Sequence, residues 1–265
     1  MGNKIVTMEE AIKAKKTSIK KINNLLEGYI HSNDSTLYKK SKNIASWLSN
    51  YISYLSFEDK FTPSKNIAYK RGDVVKVNLG FNVGSELGGA HYAIVLDKEN
   101  KHTSNALTIV PLSSYKGKVY ERDIYLHDDL FRQINRKWRT LLKTANDSYV
   151  KLMKLIELLD SSSENHSLGE VAVADENESN DFINIVKEFN FQKEELEKKL
   201  RQLKNMEHEI DMMKTGSIAK MEQITTISKM RIFDPQKTGD VLYGVRLSPE
   251  SMHAINEKLK ELYLF

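Results

Sequence analysis

Twelve glycines and four prolines are distributed very unevenly over the 265 residues, and no other feature limits the possible folds as sharply. Three of them, Gly2, Gly28 and Pro63, precede residue 71, and Gly169 alone falls between 132 and 214. The other twelve lie in 71–131 and 215–265. Inside a helix, glycine costs about 1 kcal/mol and proline about 3 kcal/mol relative to alanine, whereas both are at home in tight turns. The chain therefore reads as helix-rich, turn-rich, helix-rich, turn-rich. One β-containing domain, split in sequence and decorated by helices, is expected.

Apolar spacing fills in the helical parts. Ile12, Ile19, Ile22, Leu26 and Tyr29 fall on one helical stripe, and Leu37, Ile44, Leu48, Tyr51 and Leu55 fall on another. Between them Ser32-Asn33-Asp34-Ser35 offers capping side chains, so 7–57 is predicted to be a helical hairpin. A longer stripe runs from Phe131 through Trp138, Ala145 and Leu152 to Leu159. A second runs from Val186 through Leu196 and Leu203 to Met213. The polar stretch 161–181 separates the two, which predicts an inserted antiparallel coiled-coil hairpin with a mobile tip.

The turn-rich parts carry period-two patterns. Val75, Val77 and Leu79 alternate with polar neighbours, as in a half-buried strand. A glycine-rich loop over 80–89 follows. Ala93–Leu96, Leu107–Leu112 and Ile124–Leu126 read as further strands, with Pro111 expected at a strand end or bulge. Met221–Ile227 and Val241–Leu247 add more, and Ser248-Pro249 opens a last helix whose buried face is Met252, Ile255, Leu259 and Leu262. Many short strands with one closing helix predict a small β-barrel. The expected divisions are 1–66, 67–129, 130–214 and 215–265.

Five runs, in order, carry a resemblance. They are Arg71-Gly72-Asp73-Val74-Val75 with Val77, Asn82-Val83-Gly84-Ser85-Glu86, Ala93–Leu96, Val110-Pro111-Leu112-Ser113-Ser114, and Glu222–Ile227. Together they resemble the PemK/MazF toxins of type II toxin–antitoxin systems over 71–127 and 217–265, with the helices at 1–66 and 128–214 outside the resemblance. The resemblance implies an α+β fold built on an SH3-like barrel. It also implies an endoribonuclease that cleaves single-stranded RNA without a metal or other cofactor, is neutralised by a cognate antitoxin protein, and forms a homodimer.

Two departures stand at the family's site positions. Where the family has an arginine followed by proline, this chain has His91-Tyr92, and the hydroxyl position at the end of the next strand is Ser113. Histidine titrates near pH 7, so it exchanges a proton with a ribose 2′-hydroxyl or a leaving 5′-oxygen more readily than arginine does. His91 and Ser113 are thus the expected catalytic pair. Ser85, Glu86, Ser114, Lys116, Arg122, Gln223 and Thr226 are the expected substrate contacts, with Lys118 a further source of charge. Thr225 replaces a residue that is basic in many members. These departures leave a second reading open, a catalytically silent module that binds nucleic acid or protein under the control of its helices.

Composition removes several alternatives. There is no cysteine, which excludes disulfides, a thiol nucleophile, an iron–sulfur cluster and a thiolate zinc site. The remaining histidines, His31, His102, His127, His166, His208 and His253, are scattered, and no phosphate-binding Gly-x-x-x-x-Gly-Lys-Ser/Thr run occurs. No apolar run approaches membrane-spanning length, so a soluble cytoplasmic protein without membrane contact is expected. Residues 1–71 hold 13 Lys and Arg against 6 Asp and Glu, a basic excess that can attract phosphates or simply face water.

Overall fold

A computed structural model describes residues 6–166 and 176–264. The chain divides into two units, one made of Met1–Phe61 with Leu79–Gly89, the other of Thr62–Asn78 with Ala90–Phe265.

The first unit contains two helices, α1 (Met8–Ile30) and α2 (Ser35–Phe57). Thr7 opens α1 with a capping box: its hydroxyl accepts the Glu10 amide while the Glu10 carboxylate accepts the Thr7 amide. Asp34 caps α2 by accepting the Thr36 amide at 2.7 Å, as the polar turn predicted. The seam between the helices is thin. Ser41 and Ile44 are buried, but Ile19, Tyr51 and Leu55 on the expected stripes are exposed. The glycine-rich loop belongs to this unit, and its neck is closed by the Leu79 amide on the Gly89 carbonyl and the Gly89 amide on the Gly80 carbonyl. Gly80 has φ +88°, and a Cβ there would lie 2.8 Å from Cζ2 of Trp47. Only glycine supplies both that backbone conformation and that approach.

The second unit is built on antiparallel strands. A small ladder pairs β1 (Tyr69–Lys70) with β4 (Glu99–Asn100). The main sheet uses β2 (Val74–Asn78), β3 (Ala90–Val95), β5 (Ala106–Ser114), β6 (Ile124–Tyr125), β7 (Ser217–Ala219), β8 (Thr225–Ser228) and β9 (Ile232–Asp234). Its order is β6-β7-β5-β3-β2-β9, with β8 also on β5. Among the described residues β6 and β9 do not pair, so the fold is α+β with an antiparallel sheet that its hydrogen bonds do not close.

Three local expectations are corrected. Pro111 lies inside β5 rather than at its end, because along one edge β8 pairs with 106–109 and β7 with 112–114. It falls in the gap between them, where a residue without an N–H costs the ladder least. Met221–Gln223 is a 3-10 turn, and the strand begins only at Thr225. Val241–Leu247 forms no strand beyond a single bridge of Arg246 to Asp73. Its Leu242, Val245 and Leu247 are buried all the same, since an alternating apolar pattern reports burial and not ladder bonding.

Helices α3 (Asp129–His166) and α4 (Glu176–Met212) pack on one another, with Ala145, Ser148, Leu203 and Met206 buried along them and the Lys199 ammonium donating to the Ser148 hydroxyl at 2.6 Å. Both run further into the 161–181 stretch than expected, because Gly169 alone interrupts a run from 132 to 214 that is otherwise without glycine or proline. The predicted mobile tip falls on 167–175, outside the described residues. Leu130, Ile134 and Met206 enter the same core as Val74, Ile94 and Val110. The last helix, α5 (Pro249–Tyr263), starts as predicted, with the Ser248 hydroxyl accepting the Ser251 amide and Ile255 buried. Among the described residues no helix is long and apolar enough to cross a membrane.

Candidate active-site cleft

The ladder of β2 and β3 sets Val77 opposite His91 and Lys76 opposite Tyr92. On its other side β3 pairs with β5, whose last residues, Ser113 and Ser114, pair with Ile218 and Ser217 of β7. These strand ends open a cleft of about 190 Å³. His91, Tyr92, Ser113, Ser114 and Ser217 line it together with Lys76 and with Met212, Met213 and Lys214 from the end of α4. That volume suits a phosphodiester and part of a ribose rather than a larger ligand.

His91 is half-buried, and its Nδ1 lies 2.8 Å from the carbonyl oxygen of Leu112. A carbonyl only accepts, so Nδ1 carries the hydrogen and donates, and in the neutral ring the basic lone pair belongs to Nε2. Strand pairing thus sets the orientation and tautomer of the imidazole.

Beside it, one carboxylate oxygen of Glu209 on α4 receives two donors: the ammonium of Lys76 at 2.5 Å and the hydroxyl of Tyr92. The Lys76 ammonium also stands 5.5 Å from the centre of the Tyr92 ring. Burial pushes the Tyr92 phenol up, and the bond to the Glu209 carboxylate adds to it, so Tyr92 remains a hydroxyl donor. Asp234 on β9, the strand partner of Lys76, has its carboxyl raised by burial, although the amides of Val241 and Leu242 bind it. The cleft therefore offers one imidazole, several hydroxyls and two ammonium groups, with the Lys76 charge compensated by Glu209.

Of the residues singled out in the sequence, His91, Ser113 and Ser114 come together here. Lys116 and Arg122 lie on the exposed connection between β5 and β6, and Arg122 is paired with Glu222 at 2.7 Å. Lys118 stands over the ring of Tyr120. Gln223 sits in the 3-10 turn after β7, its amide on the Lys220 carbonyl. Thr226 pairs with Thr108, the two hydroxyls 3.2 Å apart, five residues up β5 from Ser113 and so about 17 Å away at ~3.3 Å per residue. Ser85 and Glu86 belong to the first unit, where Glu86 closes its own turn by accepting the Val83 amide.

Sequence reading missed Lys76, Glu209, Met212, Met213, Lys214 and Ser217. Lys76 was visible only as the polar member of the Val75–Val77 alternation. Glu209 and Lys214 carry no local signal, since the α3–α4 pair brings them to the cleft from more than a hundred residues downstream. Among the described residues no three His, Asp or Glu side chains gather as ligands of a metal ion.

The profile of the PemK-like, MazF-like toxins of type II toxin–antitoxin systems matches residues 70–178 of this chain. No curated protein matches it. The matched region begins at the second residue of β1, contains β2 to β6 with His91 and Ser113 and all of α3, and ends in the first turn of α4, whereas 217–265 lie beyond it.

Proposed function

Because residues 70–178 are a PemK/MazF-like toxin region, we propose that the protein is a toxin-type endoribonuclease that cleaves single-stranded RNA by attack of the RNA's own 2′-hydroxyl. The observation that carries the reading is the Leu112 carbonyl fixing the His91 ring in a cleft that Ser113 also lines. In the reaction, Nε2 of His91 takes the 2′-hydroxyl proton as the 2′-oxygen attacks phosphorus. The bond to the 5′-oxygen breaks, that oxygen takes a proton from solvent while protonated His91 returns its own to solvent, and the products are a 2′,3′-cyclic phosphate and a 5′-hydroxyl. His91 can serve in the reverse sense as the donor to the 5′-oxygen. Ser113 hydrogen-bonds a non-bridging oxygen, and the ammonium of Lys214 stabilises the charge of the phosphorane. This chemistry requires no metal ion.

The same reading takes the open sheet with α5 as the SH3-like barrel of the family, interrupted by the α3–α4 hairpin as a coiled-coil insertion. Its divisions are 1–66, 67–129, 130–214 and 215–265. It also gives the protein a cognate antitoxin, a homodimeric state and a cytoplasmic site of action.

Purified protein is expected to cut a mixed-sequence RNA in the presence of EDTA and leave 5′-hydroxyl ends, with His91→Ala losing the activity and Ser113→Ala reducing it. Cleavage that survives His91→Ala removes this mechanism. Tight RNA binding by the wild type without cleavage replaces the enzyme with a silent binding module.

A further inference from the structure

Beside the cleft, on the same sheet, three rings stand in a row. Tyr115 directly follows Ser114, and its ring centre is 4.5 Å from that of Tyr125 on β6. The Tyr125 ring is in turn 4.3 Å from the imidazole of His127. The rings are tilted by 33° and 47°. Gly216 makes the first step possible: at φ +88°, a Cβ there would meet the Tyr115 Cβ at 3.1 Å and the Tyr125 hydroxyl at 3.3 Å. The row is also tied to the cleft through the backbone, because the amide of the cleft residue Ser217 donates to the His127 carbonyl at 2.9 Å.

The far end of the row is open. His127 is exposed and held at φ +52°, a left-handed conformation uncommon for a residue with a side chain. It forms one wall of a second cavity of about 700 Å³, whose other walls include Arg132, Gln133 and Arg136 on successive turns of α3 and Ser251 on α5. Acidic groups are present too. Asp128 pairs with Arg132 at 3.2 Å, Glu250 lies on the rim, and Asp129 uses its carboxylate on Gln133 and the Ser248 amide. Arg136 donates instead to the neutral amide of Gln133. Charge is therefore close to balanced, and stacking is what the surface offers most.

We infer that the Tyr115–Tyr125–His127 row leads single-stranded RNA out of the cleft and seats one flanking base on His127, in the cavity of Arg132, Gln133 and Arg136. Aromatic faces accept any base, and an exposed ring at the end of a stack is a platform for the next planar group. Gln133 and Arg136 reach a base edge or the adjoining phosphate. The inference rests on the reading of the protein as one that binds RNA, and it names a subsite outside the reacting centre.

The test is fluorescence anisotropy with a labelled 2′-O-methyl ten-nucleotide RNA, which cannot be cleaved by 2′-hydroxyl attack. His127→Gly removes the ring while suiting the positive φ, so the backbone is preserved, and circular dichroism checks the fold. The expected result is binding about 5- to 20-fold weaker than wild type. Arg136→Ala is expected to weaken binding several-fold and to lower the salt slope by about 1. Wild-type binding that neither substitution changes overturns the subsite and leaves the nuclease reading standing. Weakened binding by protein that never cuts unmodified RNA sustains the subsite and removes the nuclease reading. Wild-type protein that binds no RNA overturns both.

Discussion

The imidazole of His91 is tied through Nδ1 to the carbonyl of Leu112, one residue before Ser113, at 2.8 Å. Two neighbouring strands therefore set the ring and Ser113 side by side, and with Nδ1 donating to Leu112 the proton-accepting nitrogen is Nε2. His91→Asn and His91→Gln separate the two functions of the ring. Each should lower RNA cleavage by about 10²- to 10⁴-fold, the range expected for loss of a positioned acid–base group. The asparagine amide should retain the bond to Leu112 and near wild-type thermal stability. A glutamine or asparagine variant with wild-type turnover would exclude His91 from proton transfer.

Glu209 is the only acid bonded to both Lys76 and Tyr92 among the described residues, and its carboxylate is largely enclosed. Glu209→Ala leaves a part-buried ammonium and a part-buried hydroxyl without their acceptor, so denaturant unfolding should show a loss of about 1–3 kcal/mol. Glu209→Gln keeps an acceptor and should lose less.

Asp129 couples the first turns of α3 and α5, its Oδ2 accepting the Ser248 amide at 2.9 Å. Burial acts to raise its carboxyl, but hydrogen bonds from Gln133, Ser251 and Ser248 outweigh that and hold it below the ordinary range. A depressed carboxyl contributes stability that is complete above the unfolded value near 3.8 and is lost as pH falls through the folded value. Wild-type stability should therefore drop below about pH 4, whereas Asp129→Ala should be about 1–3 kcal/mol less stable at pH 7 and show a shallower acid limb. Thermal melts from pH 2 to 8 measure both.

Lys229 is fully buried, with its ammonium 2.9 Å from the Lys101 carbonyl and 5.6 Å from the Tyr69 ring centre. Burial lowers its affinity for the proton below the ordinary lysine value of 10.5. The unfolded chain then binds more protons in the window between the folded value and 10.5, so this group makes stability rise with pH there. Lys229→Met should remove that rise and leave stability at pH 7 unchanged or higher, since an apolar side chain of similar length avoids the desolvation cost. A steep loss of stability at pH 7 would show that the bond to Lys101 outweighs that cost.

Gly80→Ala places a Cβ 2.8 Å from the Trp47 ring at φ +88°. The left-handed backbone alone costs about 1–2 kcal/mol, and the contact adds to it. Hydrogen exchange in 79–89 should accelerate and Trp47 fluorescence should shift. Trp47→Ala should relieve only the contact, leaving the backbone cost in the double variant.

How much of this was legible in the sequence depended on how local the cause was. Asp34 and Ser248 act within one turn of their own helices, so capping patterns locate them from spacing alone. Pro111 and Val241–Leu247 were misjudged because proline tolerance and ladder bonding depend on which strands lie alongside, and an apolar alternation does not record its neighbours. His91, Ser113 and Ser114 could be named in advance only through the resemblance, which marks their positions, and the pairing of β3 with β5 and of β5 with β7 brings them to one cleft. Lys116, Arg122 and Thr226 were equally visible as residue types, yet β5 is long enough to hold Thr226 far from Ser113, and Glu222 neutralises Arg122.

By itself, the sequence determined where the chain turns and where it cannot. Its sixteen glycines and prolines mark the boundaries between helical and strand-bearing segments, because backbone entropy and the missing proline donor act residue by residue. Only the tertiary structure decided what meets across those boundaries. Glu209 reaches Lys76 and Tyr92, Met213 and Lys214 wall the cleft of His91, and Gly216 lets Tyr115 close on Tyr125. These contacts join residues from ten to more than a hundred positions apart, and packing geometry rather than any local preference selects them.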